Sequence, residues 1–237
     1  MAKGFFVTGT DTGVGKTIVA GAVVKAVKAF GLRTAAMKPI ETGCRNEGGR
    51  LVPNDGLFLK NIAGIDEPLT SVTPCCLESP LAPMAAAEIG AVDVSVKEIK
   101  KAFLATSAKY EAVVVEGIGG LMVPIRKDYY VAELAADFGL PLVIVIRPGL
   151  GTINQTMLTL SHALRAGLKV AGIVINYSSP PENSLAEKTN PGVLSRIASV
   201  PLIGTFPYLR EISEDIIGET ALNNLDLELI RNYVETR

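Results

Sequence analysis

GFFVTGTDTGVGKT, residues 4–17, joins a run of apolar β-forming residues to a glycine-rich turn that closes with Gly15-Lys16-Thr17. A strand that enters such a turn and leaves it as a helix aims backbone N–H groups and the positive helix end at phosphate oxygens. In that arrangement Lys16 reaches the β- and γ-phosphates, and the Thr17 hydroxyl ligates Mg²⁺. The stretch therefore predicts a phosphate-binding loop for a magnesium-bound nucleoside triphosphate.

The loop is a variant of the common G-x-x-x-x-G-K-[ST] pattern. Thr10 stands where the first glycine belongs, and the glycine lies one residue earlier, at Gly9. Partition and cell-division ATPases carry a lysine near the start of this loop, where the present chain has Asp11. Asp11 at this position therefore argues against a partition or cell-division ATPase.

The rest of the chain alternates apolar runs with helical patterns. Continuous runs of β-branched and aromatic residues are typical of strands buried on both faces. We expect strands at 4–9, 112–117, 142–146 and 171–176, with weaker ones at 33–37 and 201–206. We expect helices at 17–31, 95–110, 154–167 and 225–237, and long loops at 39–55 and 177–192. The alternation predicts one α/β domain over residues 1–237, with a mostly parallel, doubly wound sheet and helices on both faces, of the P-loop NTPase type.

Composition narrows the functional classes. The formal net charge is -1 with 20% charged residues, which provides no field for nucleic acid or an anionic membrane, so we expect neither partner. The chain has three cysteines, two of them adjacent, and one histidine, His162. These counts argue against a disulfide scaffold and a zinc site. With no signal-peptide pattern at the N-terminus, we expect a cytoplasmic protein.

Three further residues have side chains suited to a triphosphate site. Glu116 ends a predicted strand, and an acid at the carboxyl end of a parallel strand faces the ligand crevice. Asp55 opens a helical pattern, where a helix N-cap is the simpler interpretation. Lys38 follows another strand and could neutralise charge on transferred oxygens, although in isolation it fits a surface lysine.

The chain resembles the dethiobiotin synthetase family over almost its whole length. The resemblance rests on matching stretches in family order: FFVTGTDTGVGKT (5–17), MKPIETG (37–43), NDGLFL (54–59), VVVEGIGGLMVP (113–124), LGTINQTMLT (150–159), AGIVIN (171–176) and PLIGTFPYL (201–209). The family is ATP- and Mg²⁺-dependent. It carboxylates 7,8-diaminopelargonic acid with CO₂ to a carbamate, phosphorylates that to a carbamic–phosphoric anhydride, and closes the ring to dethiobiotin in biotin biosynthesis.

The resemblance implies roles for individual residues. Lys38, Lys16 and Thr12 would be catalytic, and Thr17, Asp55 and Glu116 would hold Mg²⁺. Thr42, Gly151 and Asn154 would contact the substrate, whose carboxylate is bound across a two-fold interface in a homodimer. The nucleotide would contact Gly13, Val14, Gly15, Lys16, Thr17, Ile18, Asp55, Glu116, Gly117, Ile118, Gly119, Asn176, Tyr177, Thr205, Phe206 and Pro207.

Three positions depart from the family pattern. Gly13 stands where glutamate is frequent, Thr42 where serine is common, and Tyr177 where aspartate is frequent. Two alternative functions stay open: a regulatory ATPase of the ParA or MinD type, and an amidotransferase synthetase of the cobyrinic acid type. The second normally carries a glutaminase domain with catalytic Cys and His, which a chain of 237 residues with one histidine does not accommodate.

Overall fold

The computed structural model describes residues 3–235. In chain order its strands are β1 (Gly4–Gly9), β2 (Thr34–Met37), β3 (Ile40–Thr42), β4 (Arg45–Glu47), β5 (Arg50–Val52), β6 (Cys75–Leu77), β7 (Ala112–Glu116), β8 (Pro124–Arg126), β9 (Tyr129–Tyr130), β10 (Leu142–Ile146), β11 (Val170–Asn176) and β12 (Leu202–Phe206). Its helices are α1 (Lys16–Lys28), α2 (Asn54–Ala63), α3 (Leu69–Val72), α4 (Pro83–Gly90), α5 (Val96–Lys109), α6 (Val131–Phe138), α7 (Thr152–Arg165), α8 (Leu185–Ile197), α9 (Glu214–Asn224) and α10 (Leu227–Glu235).

Six of the strands form a parallel sheet in the order β12-β11-β10-β1-β7-β2. The strands β1, β7, β10 and β11 are buried along their whole length, because helices cover both faces of the sheet. α1 packs on β1, β2 and β7, and α7 packs on β10 and β11. The predicted α/β fold with a parallel central sheet is confirmed, and each of its six strands was predicted from the sequence.

The four predicted helices are present, with shifted ends. α1 stops at Lys28, and Gly31 follows with the positive φ of a left-handed residue. Ser95 caps α5 by accepting a hydrogen bond from the Glu98 N–H, as its sequence position indicates. α7 starts at Thr152, two residues before the predicted start. The predicted C-terminal helix is α10, and its expected residues 236 and 237 lie outside the described part.

The expectation of a long loop at 39–55 was wrong. This segment contains β3, which pairs in parallel with β6, and the antiparallel hairpin of β4 and β5. Gly48 and Gly49 join the hairpin strands, both with positive φ, as a tight two-residue turn requires. Gly48 and Gly49, which suggested a loop, are the turn of a hairpin, whereas Asn46 lies in β4.

The expected loop at 177–192 was also too long, because α8 begins at Leu185. Ser184 and Glu187 form a capping box at its N-terminus, which starts the helix ahead of Pro191. Pro191 lies inside the helix and removes only one N–H donor from it. The proline that suggested irregular backbone is accommodated in a helix started by a strong cap.

The parallel sheet brings distant parts of the sequence to one edge. The strands β1, β2 and β10 end there and are directly followed by Thr10, Lys38 and Arg147. The strands β7 and β11 end at the same edge with Glu116 and Asn176 as their last residues. In open α/β sheets the crevice outside the carboxyl ends of the strands is the ligand site. Among residues 3–235, every helix is too short or too polar to cross a membrane.

We predict that Gly204→Ala destabilises the fold. A Cβ at this position of β12 would lie 2.0 Å from the Asn224 carbonyl oxygen, a backbone atom that cannot move aside alone. Overpacking of this kind costs about 1–3 kcal/mol of the free energy of unfolding, measurable by urea denaturation. The control is Gly192→Ala in α8, where a Cβ meets no atom within 4 Å. This helical change should raise stability by about 0.5–1 kcal/mol, and equal effects of the two substitutions would contradict the packing argument.

Candidate functional site

The loop between β1 and α1 has the backbone of a phosphate cradle. Gly13 and Gly15 have φ of 72° and 87°, which glycine adopts without strain. Gly15 is the N-cap of α1, and no side-chain hydrogen bond caps this helix end. A Cβ on Gly15 would lie 2.0 Å from Asn176 Nδ2. The glycines thus permit a close approach of the β11 end and leave the first N–H groups of α1 for an anion.

Lys16 is buried in this loop. Its ammonium donates a 2.8 Å hydrogen bond to the carbonyl oxygen of Asp11. Burial, with a further contribution from the charge of Lys38, lowers the pKa of Lys16 to about 8. Its charge is therefore costly in the free protein, and an anion in the cradle would stabilise it.

Lys38, Glu116 and Asp55 form an ion cluster beside the loop. Lys38 Nζ lies 2.5 Å from Glu116 Oε1 and 3.1 Å from Asp55 Oδ2. The residues preceding Lys38 and Glu116, Met37 and Val115, are register partners in β2 and β7, so the next residues lie side by side. Lys38 and Glu116 are 3% and 1% exposed, so the interpretation of Lys38 as a surface lysine was wrong.

Asp55 contributes from α2, but it is not the helix cap that its sequence position suggested. The N-cap is Pro53, and Asp55 lies in the first helical turn with its side chain 42% exposed. Its carboxylate is turned toward Lys38, so the helix start presents an acid to the cluster.

Burial alone would lower the pKa of Lys38, but the facing carboxylates of Glu116 and Asp55 outweigh it and leave the pKa raised. Lys38 also donates to the Gly117 carbonyl oxygen at 3.2 Å. A fixed positive charge is therefore held beside the phosphate loop at neutral pH.

The oxygen atoms of this cluster fit a hard divalent cation. Thr17 Oγ1 lies 3.0 Å from Glu116 Oε1. Glu116 Oε2 is buried and has no hydrogen-bond partner within residues 3–235. Those residues contain no group of three or more His, Cys, Asp or Glu side chains suited to a metal. Mg²⁺ commonly takes one or two carboxylates and completes its shell with phosphate oxygens and water, so Thr17, Asp55 and Glu116 suit it only in company with phosphates.

A cavity of about 330 Å³ opens over the loop and the ion cluster. Its lining consists of Thr12, Gly13, Gly15, Lys16, Thr17, Lys38, Glu41, Thr42, Asp55, Glu116, Ile118 and Gly119. Val14 is buried behind the loop, and Gly117 reaches the cluster through its carbonyl. The structure thus brings the proposed phosphate, metal and catalytic residues together from four segments of the chain.

A second cavity of about 280 Å³ adjoins the first at Gly15 and Thr17. It is lined by Gly15, Thr17, Ile18, Asn176, Tyr177, Ser178, Pro207, Tyr208, Leu209 and Ile212. Asn176 Nδ2 donates to the Val14 carbonyl oxygen at 2.8 Å, which fixes the amide at the cavity wall. Of the other predicted nucleotide contacts, Phe206 is buried in the core and Thr205 lies outside this lining.

Two predicted substrate residues lie away from both cavities. Gly151 is the N-cap of α7, and Asn154 lies in the first turn of that helix. Both are exposed, and neither lines the two cavities, whereas Thr42 lines the first. A single chain therefore does not bring all three predicted substrate residues together.

Several site residues were missed by the sequence analysis. Glu41 is buried at the cavity wall, but an acid within a predicted loop gave no signal beyond its place in the MKPIETG stretch. Arg147, by contrast, directly follows a strand that the sequence predicted; it donates to the Thr12 carbonyl oxygen at 2.7 Å and so ties the end of β10 to the phosphate loop. Tyr208 and Leu209 lie in the PLIGTFPYL stretch and directly follow Pro207, the last of the predicted contacts.

Comparison with known proteins gives strong sequence matches. A family model described as an AAA domain matches residues 3–215. The ATP-dependent dethiobiotin synthetase BioD of Thermodesulfovibrio yellowstonii is 46% identical over 237 residues, covering 97% of this chain and 99% of that protein. The protein of the same description from Bacillus subtilis is 35% identical over 234 residues, covering 98% and 99%.

Solved structures match more distantly. The cell division ATPase MinD of Pyrococcus furiosus superposes with a TM-score of 0.54 at 14% identity, covering 98% of this chain and 97% of that one. A ParA family ATPase of Chlorobium tepidum gives 0.52 at 14% identity, covering 98% and 96%. At this identity the likeness shows a shared fold alone.

The lowered pKa of Lys16 predicts that binding of a triphosphate takes up a proton above pH 8. The free ammonium loses its proton as the pH rises through about 8, and the bound phosphates restore it. At pH 8.5, the calorimetric enthalpy of ATP binding should therefore depend on the ionisation enthalpy of the buffer. Affinity should fall by up to about tenfold per pH unit above that value. An enthalpy equal in two non-phosphate buffers of different ionisation enthalpy, such as Tris and EPPS, would contradict the role of Lys16. The control is binding of the Mg²⁺ complex of ATP at pH 6.5, where Lys16 is already protonated, in two buffers that differ likewise.

Proposed function

The chain belongs to the family of ATP-dependent dethiobiotin synthetases, and on this premise we propose that it converts 7,8-diaminopelargonic acid, CO₂ and ATP·Mg²⁺ into dethiobiotin, ADP and phosphate. The observation that carries the proposal is the buried Lys38 between Asp55 and Glu116, in one cavity with Lys16 and Thr17. Such an arrangement stabilises charge on a transferring phosphoryl group and needs no nucleophilic side chain. The enzyme is thus an ATP-dependent cyclo-ligase.

The first step places a carbamate, formed from CO₂ and one amine of the substrate, in the main cavity. Lys38 and Lys16 supply positive charge to its oxygens, and the hydroxyls of Thr12 and Thr42 line the same wall. Because Lys38 is held by Glu116 and Gly117, its ammonium needs little reorganisation to meet that charge.

The second step transfers the γ-phosphoryl group of ATP to a carbamate oxygen and gives the carbamic–phosphoric anhydride. The loop N–H groups around Gly13 and Gly15 would hold the β-phosphate, and Lys16 would span the β- and γ-phosphates. Thr17, Asp55 and Glu116 would hold Mg²⁺, which when bound neutralises phosphate charge. The chain's contribution is therefore positioning and charge.

The third step closes the ring. The second amine of the substrate attacks the carbonyl carbon of the anhydride, phosphate leaves with the former carbamate oxygen, and the proton that the amine loses passes to the departing phosphate. Lys38 and Lys16 remain beside the departing phosphate and stabilise its charge.

The second cavity suits the adenine base. It has apolar walls from Ile18, Pro207 and Leu209, and one polar edge from Asn176. An amide fixed by the Val14 carbonyl keeps its oxygen and second N–H for the edge of a base. We infer that Tyr177 and Pro207 flank the base.

The substrate carboxylate would be bound by a second copy of the chain in a homodimer. The N-terminus of α7 carries Gly151 and Asn154 away from the cavities. Asn190 holds the preceding segment by donating to the carbonyl oxygens of Pro148 and Gly149. Leu150 is 96% exposed and Leu158 63%, apolar surface that a partner subunit would cover. We place this homodimer in the cytoplasm.

A regulatory ATPase of the ParA or MinD type is the alternative that the fold comparison raises. That likeness extends to the fold alone, while sequence identity of 46% is with a dethiobiotin synthetase. Asp11 occupies the place of the lysine typical of that branch, and its carbonyl, not its side chain, engages Lys16. ATP turnover that requires both diaminopelargonic acid and CO₂ distinguishes the synthetase from a regulatory switch.

We predict that Lys38→Met lowers kcat for dethiobiotin formation by about two powers of ten or more, because a charge contact to the transferred group is lost. Stability should also fall, since the substitution leaves Glu116 buried without its cation. A phosphate-release assay and a thermal melt measure the two effects.

The matched control is Lys25→Met, which removes another lysine paired with a glutamate, at 3.0 Å, outside the cavities. It should leave kcat unchanged. A kcat for Lys38→Met within about threefold of the native enzyme would remove Lys38 from the mechanism.

The shared site predicts complementation between two inactive variants. Lys38→Met lacks the catalytic charge, and Asn154→Asp places a negative charge where the substrate carboxylate binds. In a mixed dimer one of the two sites takes native Lys38 and native Asn154 from different chains. Refolding an equal mixture should restore about one quarter of native activity, since half the dimers are mixed. A mixture that forms mixed dimers yet stays inactive would refute the interface site. The control is the variant that carries both substitutions in one chain, refolded alone, which should stay inactive.

A further inference from the structure

Glu41 is a buried acid that none of the steps above uses. It lies in β3, is 5% exposed and lines the main cavity beside Thr42. Its Oε1 accepts a 3.0 Å hydrogen bond from the Asp55 N–H, and its Oε2 accepts a 2.9 Å bond from the Gly56 N–H. Both carboxylate oxygens therefore bind the first turn of α2.

These two bonds replace the cap that α2 lacks locally. The N-cap residue is Pro53, whose side chain has no acceptor, so the N–H groups of the first turn need an acceptor from elsewhere. A carboxylate suits this place because it also interacts favourably with the positive end of the helix. Glu41 thus caps a helix that begins thirteen residues later in the sequence.

The cap connects two parts of the catalytic cluster. Lys38 lies three residues before Glu41 in the sequence, and Asp55 is one of the residues whose N–H Glu41 holds. The Asp55 carboxylate meets Lys38 at 3.1 Å, although its side chain is partly exposed. Gly56 permits the start of α2 to lie close to Thr73, since a Cβ there would lie 2.0 Å from Thr73 Oγ1.

We propose that Glu41 is a positioning residue for the divalent cation: by capping α2 across the fold, it holds the Asp55 carboxylate where the cation of the nucleotide needs it. The proposal rests on the proposed function for the role of Asp55. In this role Glu41 neither contacts the substrate nor transfers a proton.

The experiment measures Mg²⁺ binding instead of catalysis. Glu41→Gln keeps the size of the side chain, but its amide can offer an acceptor to only one of the two N–H groups. Calorimetry with a non-hydrolysable ATP analogue should show the Kd for Mg²⁺ raised about tenfold or more, the scale of lost support behind a metal ligand. Binding of the analogue without Mg²⁺ should be unchanged, which also shows that the variant is folded.

Pro53→Ser in the Glu41→Gln chain supplies the rescue. A serine at the N-cap can accept from the N–H of the second or third helical residue, which are Asp55 and Gly56. Mg²⁺ affinity should return toward the native value if Glu41 acts through the start of α2. Restored thermal stability without restored Mg²⁺ affinity would overturn the proposal.

The matched control is Glu133→Gln, which alters a carboxylate that accepts a backbone N–H, from Tyr130, at the start of α6 outside the cavities. It should lower stability without changing Mg²⁺ affinity. Equal Mg²⁺ affinity in native protein, Glu41→Gln and Glu133→Gln would reduce Glu41 to a structural cap. Dethiobiotin formation by the native chain is measured separately, so failure of the proposed function and failure of this inference give different results.

Discussion

The buried ion pair of Lys38 and Glu116 is the interaction on which the site depends. Removing one partner of such a pair costs about 3–5 kcal/mol, because the other charge is left without compensation. Here the pair lies at the ends of two adjacent strands and is joined by Asp55 and Thr17 from two helices. Burying these charges costs free energy of folding, and the same charges are the ones that the proposed phosphoryl transfer requires.

The two lysines of the cavity occupy opposite electrostatic environments. The carboxylates of Glu116 and Asp55 raise the pKa of Lys38, whereas Lys16 donates to the Asp11 carbonyl oxygen and burial lowers its pKa to about 8. The first is therefore a permanent charge of the protein, and the second depends on the anion that enters. This division suits the proposed binding of a carbamate and a triphosphate in one crevice.

The sequence predicted the strands and the loop because these depend on local patterns. Continuous apolar runs specify buried strands, and the glycines before Lys16 specify the cradle. The short strands β3–β5 and the helix α8 were not predicted. Gly48-Gly49 and Pro191 are typical loop residues, and only the strand pairing and the helix cap seen in the structure show otherwise. Glu41 was missed for a related reason: its role lies in a contact with α2 that only the folded chain creates.

In the proposed enzyme, a triphosphate in the loop brings a divalent cation to carboxylates from two separate segments. A crystal structure of the protein with Mg²⁺, a non-hydrolysable ATP analogue and diaminopelargonic acid tests it most directly. We expect phosphate oxygens against Lys16 and the loop N–H groups, with the cation beside Thr17 Oγ1, Asp55 and Glu116. Electron density for the triphosphate away from Lys16, or a cation that contacts neither carboxylate, would contradict it.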